Sequence, residues 1–447
     1  MGEVLVPADA LYGAQTQRAV DNFGLSRRRM PAGFIRALAL VKCAAARANA
    51  LCGALQPAVS EALENAALQV ARGDYADQFP VSVFQTGSGT SSNMNMNEVI
   101  AHLASTGSGL AIHPNDHANC SQSSNDVVPT AIQVAALEAL ARQLEPALAA
   151  LVSAVDSKAL ELATVTKTGR THLMDAMPLT FGQELGGWSA QLQDCQQRLG
   201  ELQPRLGSLP LGGSAVGTGV NVPALYPTAA AAELSTLCGL HFSVAPSPFS
   251  RMAGQDVALE LSAALRALAV VLTKINNDLR WMSSGPLSGL AEITLEALQP
   301  GSSIMPGKVN PVLPEAVLMV AAEVIGNDSS VTIAAQSGSF QLNVMLPLIA
   351  EKLLGSIEGL TWACAASARS TSGFQVNRER IEANLASNPI LVTALNARIG
   401  YEQAAVIAKR AYAEKRPVLD VAEEETGLPR EELAELLDPR RLTNSMN

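Results

Sequence analysis

Between Ile132 and Val155 the residues Leu137, Leu140, Leu144, Leu148, Leu151 and Val155 recur at intervals of three and four, the spacing that gathers side chains on one face of an α-helix. Pro146 falls inside this run and is expected to kink or interrupt the helix, because it has no N–H to donate. From Gln255 to Ser284 there is neither Gly nor Pro. Here Leu261, Leu265, Leu268, Leu272, Ile275 and Leu279 alternate in steps of four and three, a seam suited to a helix bundle. A third long helix is expected from near Pro314, where Pro in the first turn and Glu315 suit a helix N-terminus. It would run through Val317, Val320 and Val324 towards Gly326. Such stripes establish architecture and say nothing about activity.

Polar, glycine-containing stretches interrupt this helical background at Thr86 to Asn97, His113 to Asp126, Thr168 to Glu184, Gly212 to Asn221 and Gly301 to Asn310. All five are read as loops, dense in the Ser, Thr, Asn and Gly that supply backbone donors and short hydrogen-bonding side chains. After Gly373 the segments shorten and charge rises, ending in Glu423-Glu424-Glu425 and Arg440-Arg441. A small helical C-terminal domain is expected there.

Composition narrows the class. Hydrophobic residues make up 48% of the 447 and aromatics only 4%, so the core is built from Ala, Leu, Val and Ile, a mix that favours helices over sandwiches. A chain this long suggests about three domains or one extended helical body. The formal charge of -10 argues against nucleic-acid or acidic-membrane partners, so any anionic substrate must be held by local groups. Six cysteines without CxxC spacing suggest neither a zinc cluster nor a disulfide framework, and no constellation of Cys, His and acids indicates a metal. With no basic-then-apolar leader and no apolar run judged long enough for a bilayer, a cytoplasmic protein is expected.

The segment Gly301-Ser302-Ser303-Ile304-Met305-Pro306-Gly307-Lys308-Val309-Asn310 sets a Ser, a Lys and an Asn among glycines. A serine hydroxyl is a poor base unless its alkoxide is stabilised, which backbone N–H groups and a nearby ammonium would do. The same loop equally suits an anion-binding nest or a phosphate cradle, although it lacks P-loop spacing. His172 lies in Gly169-Arg170-Thr171-His172 and is either a proton carrier, with Glu315 to orient it, or a structural histidine. Ser121 to Asp126 and Thr86 to Thr90 offer neutral donors for a carboxylate, or else helix caps. Arg170 and Lys308 with these donors suit a small dianion.

At these loops the chain resembles the aspartase/fumarase superfamily, and Gly301 to Pro311 is similar to its signature almost letter for letter. The likeness extends over Val6 to Ala10, Gly13 to Arg18, Thr86 to Glu98, His113 to Asp126, Gly169 to Glu184, Gly212 to Asn221 and Leu395 to Ala405, essentially the whole chain. His113-Pro114-Asn115-Asp116, Ser121 to Asp126 and Gly307 resemble the class II fumarase branch more than the aspartases. Cys120 and Leu185 stand where Met and Phe would be expected, a departure that touches packing more than chemistry.

The resemblance implies an all-α, three-domain fold, with an N-terminal domain over 1–122, a central domain over 123–374 and a C-terminal domain over 375–447. Five long helices of the central domain would enter the twenty-helix core of a homotetramer whose active sites are each shared by three subunits. It implies reversible hydration of fumarate to (S)-malate without cofactor or metal, with aspartase chemistry or an idle dicarboxylate-binding homologue as alternatives. By the resemblance Ser302 is the base, Lys308 and Asn310 hold the aci-carboxylate intermediate, and His172 paired with Glu315 handles the water. Ser88, Thr90, Ser123, Ser124, Asn125 and Thr171 bind the substrate carboxylates. His113, Asn115 and Asp116 match a second dicarboxylate site.

Overall fold

The computed structural model describes residues 2–443, and its long helices carry the apolar stripes. Leu261, Leu265, Leu268, Leu272, Ile275 and Leu279 lie on the helix Asp256–Met282, and all six are buried. The Leu137 to Val155 stripe runs through Ser124–Ala139 and Glu145–Glu161, joined by one widened π-helical turn at Leu140–Leu144. The α-helical pattern is thus interrupted just before Pro146, as expected, by an inserted residue that shifts the hydrogen-bond ladder past the missing donor and keeps every stripe residue buried.

The third helix, Val312–Ala335, does not stop near Gly326 as expected. Beyond the glycine, Asn327 donates to the Ser356 hydroxyl and the Asp328 carboxylate accepts from Ser262 and Arg266, so tertiary bonds hold the following polar residues in helical register. This helix is also long and apolar enough to cross a membrane, with a mean hydropathy of 1.3 in its best window, which corrects the expectation that no run reaches that length. A buried, ion-paired Asp328 marks it as a core helix.

One compact unit consists of Met1–Ala147, Cys195–Ala269 and Val320–Trp362. Its hub is the helix Ala32–Leu51, which packs against Pro57–Arg72, Ser124–Ala139 and Tyr226–Cys238. Ala37, Ala39, Ala44, Ala45 and Ala48 are fully buried there, and their small side chains let neighbouring helices approach closely.

The second unit consists of Leu148–Asp194, Val270–Met319 and the chain from Ala363 onward. It contains an antiparallel hairpin, Thr166–Thr171 with Met174–Thr180, which corrects the reading of Thr168 to Glu184 as a loop. The molecule is mostly helical, but the all-α expectation yields locally to four two-stranded pairs among the described residues. The C-terminal part is helical as expected, with Arg378–Ala386, Tyr401–Glu414, Val418–Thr426 and Arg430–Leu436 among its elements. Leu395, Ile407, Val421 and Leu433 form its fully buried centre. Outside, Arg410, Arg416 and Arg430 pair with Glu414, Glu424, Glu425, Asp420 and Glu423 at the surface, where such pairs contribute little each.

The C-terminal core therefore rests on apolar burial. Ile407→Ala is expected to destabilise it by about 2–5 kcal/mol, read as a lowered urea midpoint, whereas Arg410→Ala should leave that midpoint almost unchanged.

Candidate active site

The segment from Gly301 to Asn310 is closed at its base by two bonds. The Gly301 N–H donates to the Lys308 carbonyl at 2.7 Å, and the Asn310 side-chain amide donates to the Gly301 carbonyl at 2.8 Å. Glycine is required at 301, because a Cβ there would lie 2.7 Å from the Lys308 oxygen. Gly307 turns the chain back with φ +82°. Inside this turn the Ser302 oxygen accepts backbone N–H bonds from Ile304 at 3.2 Å and Met305 at 3.1 Å. Two donors on one hydroxyl oxygen favour its anionic form. Lys308 is exposed beside them, and Ser302 and Lys308 line one open groove with Met305 to Val309.

His172 stands at the tip of the hairpin, whose two-residue turn is His172-Leu173 between paired Thr171 and Met174. Both turn residues have positive φ, +56° and +62°. That is the backbone of a type I′ turn, normally filled by Asn or Gly, so two ordinary side chains are held there at a cost of about 1–3 kcal/mol each. The strain presents His172 and Thr171 outward, and both are exposed.

Buried charges brace the hairpin. Lys167 forms ion pairs with Glu184 and Glu292, each at 2.9 Å, and sits over the Phe181 ring. Arg170 reaches the same Glu292 at 2.8 Å. Its guanidinium is therefore engaged, through one nitrogen, by a protein carboxylate. A bulge at Gly169, where a Cβ would lie 2.5 Å from the Met177 oxygen, lets the strand make this turn. Among the described residues no hydrogen bond or ion pair joins His172 to Glu315 within one chain, and Glu315 is exposed in the first turn of Val312–Ala335.

The remaining candidates lie in the other unit. Ser88 and Thr90 share a 2.8 Å hydrogen bond at the start of the helix Thr90–Ser108. Their loop is pressed so closely on Val344 that a Cβ on Gly87 would lie 1.8 Å from that residue's carbonyl oxygen. Ser123 caps the helix Ser124–Ala139, accepting from the Asn125 N–H at 3.2 Å, while the Asp126 carboxylate accepts from the Ser123 N–H at 2.9 Å. The capping reading of this segment is thus realised. The Ser124 hydroxyl is buried and accepts from the Asn93 amide at 2.9 Å. Asn125 is anchored by its side-chain amide to the Ala215 carbonyl at 2.8 Å. His113, Asn115 and Asp116 are exposed and form their own turn, in which His113 Nδ1 accepts from the N–H groups of Asn115 and Asp116 and lies 3.1 Å from the Asp116 carboxylate.

A lyase family model matches residues 2–326, and a model of the fumarase C C-terminus matches residues 391–444. The chain is 57% identical to the class II fumarate hydratase of Xylella fastidiosa over 444 residues, covering 99% of this chain and 94% of the relative. It belongs to the class II fumarate hydratase family. A second class II fumarate hydratase, from Pseudomonas aeruginosa, is 54% identical across 99% of this chain and 97% of its own length. The crystal structure of the class II fumarase from Schistosoma mansoni superposes with a TM-score of 0.96 at 36% identity, covering 100% of this chain and 98% of that one.

Backbone donors around Ser302 were expected from the loop, and the structure assigns them to Ile304 and Met305. Two contributions to the candidate site escaped sequence reasoning. Glu292 stands in an unremarked Ala291-Glu292-Ile293 run, and only its burial reveals it. The φ values of His172 and Leu173 leave no mark in residue type. Because closure at Gly301 positions Ser302, Gly301→Ala should lower fumarate hydration by about a hundredfold with little change in thermal midpoint, checked by steady-state rates beside a melting curve.

Proposed function

We propose that this class II fumarate hydratase adds water reversibly across the double bond of fumarate to give (S)-malate, with Ser302 as the base. The observation that carries this reading is the pair of backbone N–H groups on the Ser302 oxygen. A proton on the carbon next to a carboxylate is weakly acidic, so the serine needs a stabilised alkoxide to remove it, and those donors with the neighbouring Lys308 supply the stabilisation. In the dehydration direction Ser302 takes that proton from malate. The electrons left behind pass into the adjacent carboxylate, forming an aci-carboxylate dianion held by Lys308 and by the second N–H of Asn310. Hydroxide then leaves from the opposite face, protonated by His172 with Glu315 as its partner, so addition and elimination are trans. Ser88, Thr90, Ser123, Ser124, Asn125 and Thr171 receive the substrate carboxylates, and the turn at His113, Asn115 and Asp116 is a second dicarboxylate site.

In this reading each site is completed by three subunits of a homotetramer. The central domain, 123–374, lends five long helices to its twenty-helix core, between the domains 1–122 and 375–447. Support comes from the exposure of His172, Lys308 and Glu315 on the single chain, since such groups need surroundings to exclude water. Val270, Trp281, Met319, Ile333 and Trp362 are large apolar residues exposed on long helices, as an assembly core requires. A cytoplasmic, cofactor-free enzyme completes the proposal.

Ser302→Ala should lower turnover on the order of a thousandfold while leaving the tetramer intact in sedimentation; near-normal activity would remove Ser302 from the role of base. Loss of fumarate absorbance in water alone separates hydration from ammonia addition, and consumption only with ammonium would overturn the water assignment. A folded tetramer that binds dicarboxylates but turns over neither would mark an idle homologue.

A further inference from the structure

The carboxylate of Asp126 is completely buried, and a helix cap accounts for only half of it. Oδ1 accepts from the Ser123 N–H, closing the capping box. Oδ2 accepts two further bonds, from the N–H groups of Gly212 at 2.9 Å and Ser214 at 3.0 Å, more than eighty residues along the chain. Both of those residues have positive φ, +96° and +57°. Their N–H groups thereby converge as in an anion-binding nest, and the anion is a side chain of the protein itself. Asn125, one residue before Asp126, donates to Ala215, one residue after Ser214. Two adjacent side chains at one helix N-terminus thus grip one short stretch of the Gly212 to Asn221 loop.

Resting on the reading of Ser123 to Asn125 as carboxylate-binding, we propose that Asp126 is a positioning residue that ties the Gly212–Ser214 backbone to the helix start and so holds Ser123, Ser124 and Asn125 in the geometry a substrate carboxylate needs.

The surroundings fit this role. Lys42, buried in the middle of Ala32–Leu51, is a cation acting on Asp126, and its ammonium donates to Asn119 and Gln122 within the same polar stretch. From Tyr226–Cys238 the buried Tyr226 feels the charge of Asp126, and from Thr90–Ser108 the amides of Asn93 and Asn97 donate to Asn119 in this polar cluster. Burial pushes Asp126 up to about 6, against the three N–H bonds and Lys42, and burial pushes Lys42 down to about 7, against Asp126. A carboxyl raised from its ordinary value keeps its proton until the pH rises through about 6. Below that pH it loses part of its accepting capacity, and the grip on the nest weakens.

Steady-state kinetics with fumarate, which stays ionised across this range, test the idea. Asp126→Asn places an amide N–H against the nest donors, so KM should rise about tenfold with kcat changed by less than about threefold. Wild-type KM should climb as pH falls below about 6, and the variant should lack that limb. Lys42→Met removes the cation that favours the ionised Asp126, so the limb should move to higher pH; this arm decides the matter if Asp126→Asn fails to fold. A folded Asp126→Asn protein with wild-type KM, or a Lys42→Met limb that stays in place, overturns the proposal. Asn125→Ala is the companion variant: unchanged KM there overturns the carboxylate-binding reading underneath and the proposal with it, whereas a raised KM there beside normal KM in Asp126→Asn sinks the positioning role alone.

Discussion

The bond from the Gly301 N–H to the Lys308 carbonyl is the constraint on which the proposed chemistry depends. It folds the eight residues from Gly301 to Lys308 back on themselves, so that a serine, an ammonium and two backbone donors share one turn. Without it Ser302 is an ordinary hydroxyl on an exposed loop. With it, the oxygen receives two N–H bonds whose orientation is set before any substrate arrives, and preorganised donors lower the cost of forming an anion because they need not reorient during reaction. Glycine at 301 is therefore a chemical requirement expressed through sterics: any side chain would occupy the space the closing carbonyl takes.

Elsewhere the polar loops are held by charges buried in an Ala- and Leu-rich body. Asp126 organises two segments of one unit, and Glu292 does the same for the hairpin of the other, gathering Lys167 and Arg170. Taking such groups out of water costs several kcal/mol per ion before partners offset it. A hydrophobic replacement would fill the space, but it would leave glycine-rich backbone without a directional anchor. Both carboxylates act on segments whose geometry the proposed mechanism uses, and in both cases the charge is matched by specific donors.

Hydrophobic periodicity foretold the long helices, because burying one face of a helix repeats every three or four residues and leaves that repeat in the letters. The loop at Gly301 to Asn310 was legible for a related reason, since a closed turn around an anion admits few residue types. The hairpin at Thr166–Thr171 and Met174–Thr180 was not legible: its turn residues His172 and Leu173 are unsuited to positive φ, and the strand pairing with the bracing of Lys167 and Arg170 by Glu292 holds them there. The true end of Val312–Ala335 was hidden likewise, because a bond to Ser356 and bonds from Ser262 and Arg266 override a glycine that would otherwise stop a helix.

The sequence by itself determined the helical body, the helical C-terminal part and the letters of the candidate active site, because periodicity and tight-turn chemistry are local and survive in the order of residues. Only the tertiary structure decided that Arg170 belongs to Glu292, that Ser302 receives the N–H groups of Ile304 and Met305, and that Asp126 reaches Gly212 and Ser214. Those facts depend on backbone direction and on partners far apart along the chain, and neither is encoded in the identity of any single residue.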